Sequence, residues 1–486
     1  MVGSADTPRI AIVGAGFSGM CMAIKLKEAG IHSFTIFEKA DNVGGTWRDN
    51  TYPGVACDVP SHLYSFSFEP KLDWTRLYSA GAEIQDYCEY VARKYGLLEH
   101  IEYGCELTNS TYSGGKWQIE FKNGRTENVA FLVSGIGGLH VPNFPDIEGK
   151  DTFGGVSFHS AQWNHGHDLA GKKVAVVGSA ASALQLIPEI VGKVASLDMY
   201  QRTPNWVMPR ENTYYSDDQK AKFQRSPWKA KLHRLMIYLA FESRIPLFKG
   251  SKILSRIVSK AAHGHLEDQV ADEELRAALT PDFPFGCKRI LASDTYFPAL
   301  QQDHVSVVTG GISKIVEGGI ETTDGTFREA DTIIYATGFK PLTMVDGQEI
   351  TGKNGLKMVD YLKDGIRAHR TVMAPGFPNY FMLLGPNSVL GHNSVLIIIE
   401  AQAKYILQCI QETIKTGAKS IDVKPKAAER FDDRIQEQLK GTVWSQSCKS
   451  WYKDENGRIF TLWPKGTISF RRSMKRIKRN EFQFEH

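Results

Sequence analysis

Two glycine-punctuated turns, each set between a short apolar run and a helical pattern, are the places in this sequence where residue type and spacing first imply chemistry. In the first, Gly14-Ala15-Gly16-Phe17-Ser18-Gly19 follows Ile10-Ala11-Ile12-Val13. Glycine at the first position permits a tight turn, and at the second it lets the main chain approach a pyrophosphate. The helix that follows aims its free amides at the negative charge. Glu38 closes the next apolar run, at the distance where a carboxylate accepts hydrogen bonds from a ribose. Together these features describe an adenine-dinucleotide site.

The second turn, Gly178-Ser179-Ala180-Ala181-Ser182-Ala183, follows the apolar run 174–177 but has alanine where the middle glycine usually stands. An extra methyl at Ala180 would crowd a pyrophosphate. Directly after the next apolar run comes Gln201-Arg202-Thr203, at the place where the first site carries its acid. A guanidinium and a hydroxyl suit a ribose 2′-phosphate, which a carboxylate would repel. The first site therefore favours FAD and the second NADPH over NADH.

The elements that must position these turns form an α/β pattern. Residues 10–37 read as one βαβ unit with a helix over 18–29. Strand-like runs return at 131–133, 174–177, 197–200 and 332–335, interleaved with helical patterns, which predicts parallel sheets. Between about 213 and 284 the chain turns charged and helical, at 217–223, 232–241 and 266–279, without strand signals. It becomes apolar again at 375–384, and 400–413 reads as an amphipathic helix returning to the first domain. The expectation is two Rossmann-like dinucleotide-binding domains. The FAD domain takes 1–144 and 375–486 (with the C-terminal tail), the NADP domain 145–212 and 287–374, and a helical insertion 213–286.

The 486 residues suffice for two or three domains. A net charge of +4, from 58 basic and 54 acidic residues, is too slight to indicate a nucleic-acid partner. Seven scattered cysteines with no CxxC pair or metal-ligand spacing read as reduced, packed thiols. With no signal peptide pattern and no apolar run of spanning length, the chain is expected to be cytoplasmic and to bind no metal.

Between the glycine turns lies Phe153-Gly154-Gly155-Val156-Ser157-Phe158-His159-Ser160-Ala161-Gln162-Trp163-Asn164. It resembles the FxGxxxHxxxW(P/D) fingerprint of type I Baeyer–Villiger monooxygenases, with Asn164 where the family has Pro or Asp. Trp163 separates it from the sister flavin-containing monooxygenases, which have Tyr or Phe there. A second family motif, (A/G)GxWxxxx(F/Y)P(G/M)xxxD, is matched by Gly44-Gly45-Thr46-Trp47, Tyr52-Pro53-Gly54 and Asp58. Ala336-Thr337-Gly338-Phe339 is similar to the ATG-type segment of the same class. The resemblance runs from about 10 to 463, including Gly385-Pro386-Asn387-Ser388 and Gly391-His392-Asn393-Ser394.

The resemblance implies that NADPH reduces FAD and that a C4a-peroxyflavin formed with O₂ converts a ketone to an ester or lactone, with possible sulfoxidation. Such chemistry needs a permanent cation to stabilise a peroxide anion and then an oxyanion. Arg289, in Gly286-Cys287-Lys288-Arg289, resembles the family's catalytic arginine, and Asp58 the acid that holds it. The FAD set implied is Gly14, Gly16, Phe17, Ser18, Gly19, Glu38, Lys39, Gly45, Thr46, Trp47, Asp58, Tyr64, Leu107 and Val395. The NADP set is Gly178, Ser179, Ala180, Ala181, Ser182, Ala183, Arg202, Thr203, Lys288, Arg289 and Trp451. His159 resembles a hinge residue between the domains rather than a proton-transfer group. The basic run Arg471, Arg472, Lys475, Arg476, Lys478 and Arg479 reads as a solvated tail. Rival readings are an N- or S-oxygenating flavin monooxygenase, an uncoupled NADPH oxidase, and a flavin-bound scaffold without catalysis; substrate identity and oligomeric state stay open.

Overall fold

A computed structural model describes residues 8–340, 347–448 and 450–486. Its frame is a pair of five-stranded parallel sheets built to one plan. In the first, the strand order is Tyr380–Met382, Phe131–Ser134, Ile10–Val13, Phe34–Phe37, Ile101–Glu102. In the second it is Val305–Val308, Ser196–Tyr200, Lys173–Val177, Thr332–Tyr335, Val156–His159. The middle strand of each sheet carries a glycine turn at its carboxyl end. In the first sheet the chain runs outward to one side of Ile10–Val13 and returns to the other. That reversal opens a crevice at the strand ends, where dinucleotides bind in such folds.

The first middle strand is apolar because both faces are covered: all four residues of Ile10–Val13 are buried. The helix Phe17–Glu28 packs against Val395–Thr416, a longer version of the helix expected over 400–413. Ser394 caps its start and Gly417, at φ +69°, ends it. The run at 375–384 contains the strand Tyr380–Met382, which returns the chain to the first sheet.

Two smaller, mainly antiparallel sheets were not expected. One contains Leu107–Ser113, Lys116–Phe121 and Thr126–Val129, the other Ile312–Val316, Gly319–Thr322 and Phe327–Glu329. Their strands are half-exposed and rich in Thr, Ser, Asn, Lys and Glu. Between the paired two-residue strands Val207–Met208 and Leu291–Ala292 the described residues form helices only: Asp217–Arg225, Pro227–Glu242, Ile245–Phe248, Lys252–Gln269 and Glu273–Leu279.

One expectation about the cysteines is corrected. Five are free and buried, but Cys287 and Cys448 are joined in a disulfide. The two stand 161 positions apart and meet only through the fold, so no local spacing rule detects them. Among the described residues, no His, Cys, Asp and Glu cluster could hold a metal. Among the same residues, no helix is long and apolar enough to cross a membrane.

Candidate active site

The first glycine turn is dictated by close approaches. Gly14 leaves its strand at φ +97°, and a Cβ there would lie 2.9 Å from the Gly135 carbonyl oxygen. At Gly19 a Cβ would meet the Gly14 oxygen at 1.9 Å. Gly16 has angles any residue adopts (φ −80°, ψ −171°) and heads the helix without a side-chain cap. Its contribution is space: a Cβ on Gly45 would come within 3.3 Å of its Cα. Two stretches of bare main chain thus pass beside uncapped amides of the first helical turn, which contains Phe17 and Ser18. Buried Glu38 accepts from the Ala15 N–H at 2.7 Å and from the Ala40 N–H at 3.1 Å, and Arg48 Nη1 stands 3.1 Å from Oε1. A carboxylate offers about four acceptor sites, so one remains for a ribose hydroxyl.

The second turn has the same shape. Gly178 takes φ +114°, and a Cβ there would sit 2.5 Å from the Ala336 oxygen. Ala180 takes φ −87° and ψ −161°, close to the angles of Gly16, and likewise heads its helix, Ala181–Ile190, uncapped. Its methyl is exposed, so alanine costs the turn no strain. Ser179 Oγ donates to the Thr203 carbonyl at 3.3 Å and Asn205 Nδ2 to the Ser179 carbonyl at 3.0 Å, tying the turn to Arg202-Thr203. Lys288 Nζ lies 4.4 Å from the Phe283 ring. Burial lowers the Lys288 pKa, and the nearby charge of Arg202 lowers it further. The Asp282 carboxylate offsets part of that effect.

Arg289, one residue on, forms an ion pair with Asp58. Asp58 is foremost among the influences that hold the Arg289 pKa above its ordinary value. The Arg289 side chain keeps 45% of its accessible surface and that of Asp58 38%, although Cys57 and Cys287 beside them are buried. The pair therefore lines an open cleft. Buried Tyr452, its hydroxyl pKa pushed up to about 12 by burial, lies close enough to Arg289 to feel its charge. The Cys287–Cys448 bond holds the Lys288-Arg289 segment to the loop carrying Tyr452 and the half-exposed Trp451, whose ring centroids are 4.6 Å apart.

The motif from Gly44 to Asp58 also joins the two sheets. Gly54, at φ +79°, lets the Gln185 carbonyl approach where a Cβ would lie 2.4 Å from it. Tyr52 OH donates to Gln185 Oε1 at 2.8 Å and Gln185 Nε2 to the Ala56 carbonyl at 3.0 Å. The first turn's motif is thus docked on the second turn's helix. Trp47 Nε1 donates to Tyr64 OH at 3.1 Å, and Tyr64 meets Phe17 edge to face at 5.6 Å. Thr46 opens the short helix Thr46–Asp49. Leu107 is buried in the core with Val13 and Phe37, Val395 opens the helix that packs on Phe17–Glu28, and Lys39 is exposed.

His159 is buried, its Nδ1 accepting from the Ala161 N–H at 3.1 Å and its ring lying 5.4 Å from Phe144 and 5.9 Å from Phe339. Burial pulls its pKa down to about 4, so it is neutral at physiological pH. Asn164 Oδ1 accepts from the Gly166 N–H at 3.1 Å, the turn an aspartate would make at that place. One functional candidate had no local signal. Arg210 Nη2 donates to the Cys57 carbonyl at 2.9 Å, bringing a second guanidinium beside Asp58. Burial lowers its pKa, partly offset by the Asp58 charge.

Two Rossmann-type crevices joined through a shared motif, with a cation in the cleft between them, define an oxidoreductase that uses two dinucleotides. The pattern of the pyridine nucleotide-disulphide oxidoreductases matches residues 11–222. A Baeyer–Villiger monooxygenase of Streptomyces coelicolor is 40% identical over 479 residues, covering 98% of this chain and 92% of the relative. One of Pseudomonas aeruginosa is 41% identical over 467 residues, covering 95% and 89%. The solved structure of an oxidized steroid monooxygenase bound to NADP has a TM-score of 0.88 at 27% identity, covering 99% of this chain and 100% of that one. The chain belongs to the Baeyer–Villiger monooxygenases.

Proposed function

We propose that the protein is an FAD-dependent monooxygenase that consumes NADPH and O₂ to convert ketones to esters or lactones. The observation that carries this reading is the Arg289–Asp58 pair, open to the cleft between the segment facing Gly16 and the segment beside Arg202. Bare main chain at Gly16, and at Gly45 where a Cβ would crowd Gly16, fits a flavin dinucleotide. The paired cations Arg202 and Lys288 fit the 2′-phosphate of NADP. When bound, FAD supplies a reduced flavin for O₂ activation, with the hydride drawn from NADPH.

The chain's own residues do the rest. The uncapped helices after Gly16 and Ala180 hold the two pyrophosphates, Glu38 takes a ribose, and Arg202, Thr203 and Lys288 hold the 2′-phosphate. Arg289 cannot lose its charge, so it stabilises negative charge as it develops on the substrate oxygen. Asp58 orients that guanidinium and keeps it paired when bound cofactors exclude water from the cleft. Arg210 limits the negative charge of Asp58, and Trp451 covers the nicotinamide side. In this reading 1–144 with 375–486 form the FAD domain, 145–212 with 287–374 the NADP domain, and 213–286 an insertion. The partners are a small ketone and O₂, and the location is cytoplasmic, where NADPH is regenerated.

The test is anaerobic bleaching of the bound flavin by NADPH, followed by a ketone panel under isotopically labelled O₂ with mass spectrometry of products. One labelled atom in an ester or lactone is the expected result. Oxygen transferred only to amines or sulfides, or released only as hydrogen peroxide, would overturn the reading.

A further inference from the structure

The helix Pro227–Glu242 buries Ala230 and Phe241 but leaves a larger apolar set in water. Trp228, Leu232, Leu235, Met236 and Leu239 form one stripe at helical spacing, and each keeps between 47% and 63% of its surface exposed. The opposite face is docked through polar groups. Arg234 Nη1 donates to the His62 carbonyl and to Ser65 Oγ, Tyr238 OH and Thr467 Oγ1 share a hydrogen bond of 2.7 Å, and Glu242 accepts from Asn393 Nδ2 at 3.1 Å. The exposed stripe is therefore the face this helix turns to solvent, and its contiguity marks an interaction surface.

Charge is concentrated on the same part of the chain. Residues 219–260 hold eleven Lys and Arg and a single acid, a net +10 in a protein whose total is +4, so everything outside them sums to −6. The one acid, Glu242, is engaged inward with Asn393 and Thr467. Lys231 lies on the stripe itself and is exposed. A later helix, Lys252–Gln269, repeats the pattern, with Ile253 and Ile257 exposed beside Lys252, Arg256 and Lys260. The C-terminal basic run begins on Thr467–Ser473, which touches Pro227–Glu242 through Tyr238 and Glu242. Its Ile468 is exposed, and Arg471 is close enough to Tyr238 for its charge to act on that hydroxyl. Residues 465–480 add seven basic groups and no acid.

We propose that this face docks on an anionic lipid bilayer, with the stripe sunk to the headgroup boundary and the basic side chains on lipid phosphates. Apolar area and local positive charge are the two terms that hold an interfacial helix on such a surface; of the cations counted, Arg234 turns inward, whereas Lys231 on the stripe and Lys222 and Arg225 just before it are exposed. A second copy of the chain is a poorer occupant, because a two-fold interface would set one +10 stretch against another. A nucleic acid would answer the charge but leave the apolar stripe in water.

The test is flotation of the FAD-loaded protein with large unilamellar vesicles of phosphatidylcholine alone or of equal parts phosphatidylcholine and phosphatidylglycerol. The expected result is binding to the anionic vesicles, at least about tenfold weaker on neutral vesicles and in high salt. The double variant Leu235→Ser/Leu239→Ser, and separately Arg225→Glu/Lys231→Glu, should each lose most of it with unchanged circular dichroism and melting. If the serine pair unfolds the protein, the charge-reversed pair carries the test alone. Absence of flotation, or equal binding by wild type and both variants, overturns the proposal. So does a wild-type dimer in lipid-free solution that the serine pair converts to monomer, because the face is then a contact between copies.

Discussion

Replacing Arg289 by alanine should separate stability from chemistry, and the geometry decides which suffers. The Arg289–Asp58 pair keeps 45% and 38% of its side-chain surface, so solvent screens it and water can reach the carboxylate left behind. Arg210, bonded to the Cys57 carbonyl next door, supplies a residual positive field. The loss of folding stability should therefore be that of a surface pair, at most about 1 kcal/mol, or roughly 2 °C in Tm for a chain of this size. The chemical step loses a fixed donor to a developing oxyanion, which costs about 3–4 kcal/mol and lowers ester formation by roughly 10²–10³-fold. NADPH-driven flavin reduction should stay within about threefold of wild type, because the pyrophosphate and 2′-phosphate contacts lie elsewhere. Differential scanning fluorimetry, anaerobic stopped-flow reduction and product quantification read the three quantities on one sample. Arg289→Lys should recover only part of the loss, since it keeps the charge but not the planar fork. Ester formation by Arg289→Ala within about threefold of wild type would remove Arg289 from the chemistry. Loss of activity in step with a large fall in Tm would show that the pair is structural.

Arg202→Gln should raise KM for NADPH by roughly tenfold or more while changing that for NADH little, since one charge-assisted contact to phosphate contributes about 1.5–3 kcal/mol; equal effects on both cofactors would count against the 2′-phosphate site. Burial pushes the Asp422 pKa up to about 7, against the hydrogen bond from the Gly376 N–H and the charge of Lys353. Because the folded value exceeds the unfolded one, this group costs stability increasingly as pH rises from about 4 to 7. Asp422→Asn should accordingly stabilise the protein at pH 8 by up to about 4 kcal/mol and leave it nearly unchanged at pH 4, as denaturant titrations at the two pH values would show. Under non-reducing denaturation five thiols should alkylate and, after reduction, all seven. Cys448→Ser should lose up to roughly 3–5 kcal/mol of stability, read by urea titration, because the bond closes a loop of 161 positions.

What was legible in the sequence was local. Gly14, Gly19 and Gly178 stand where a Cβ would strike a carbonyl oxygen, so their identity reports backbone geometry directly. The middle strands are apolar except for Lys173 at the start of the second, because helices cover one face and a small antiparallel sheet the other. Ala180 read as a defect because a motif counts letters, whereas the turn requires only angles that alanine adopts freely. What was not legible depended on partners far along the chain. The place of Gly54 is set by Gln185, that of Arg210 by Cys57, and that of Cys287 by Cys448.

The sharpest case is a pair of helices that both carry an apolar stripe, with opposite outcomes. In Val395–Thr416 the apolar residues, Leu396, Ile398, Ile399, Ile406 and Ile410 among them, lie buried against Phe17–Glu28 and the surrounding core. In Pro227–Glu242 an apolar stripe faces water, while Arg234, Tyr238 and Glu242 turn inward to His62, Thr467 and Asn393 beside buried Ala230 and Phe241. Periodicity specifies that a stripe exists; its direction is set by what waits on either side. A helix entering through a charged insertion meets polar anchors first, and its apolar side is left outward. Read this way, the exposed stripe beside a +10 stretch is where the fold departs from the rule that apolar faces seek the core, and departures of that kind mark surfaces selected for something other than stability.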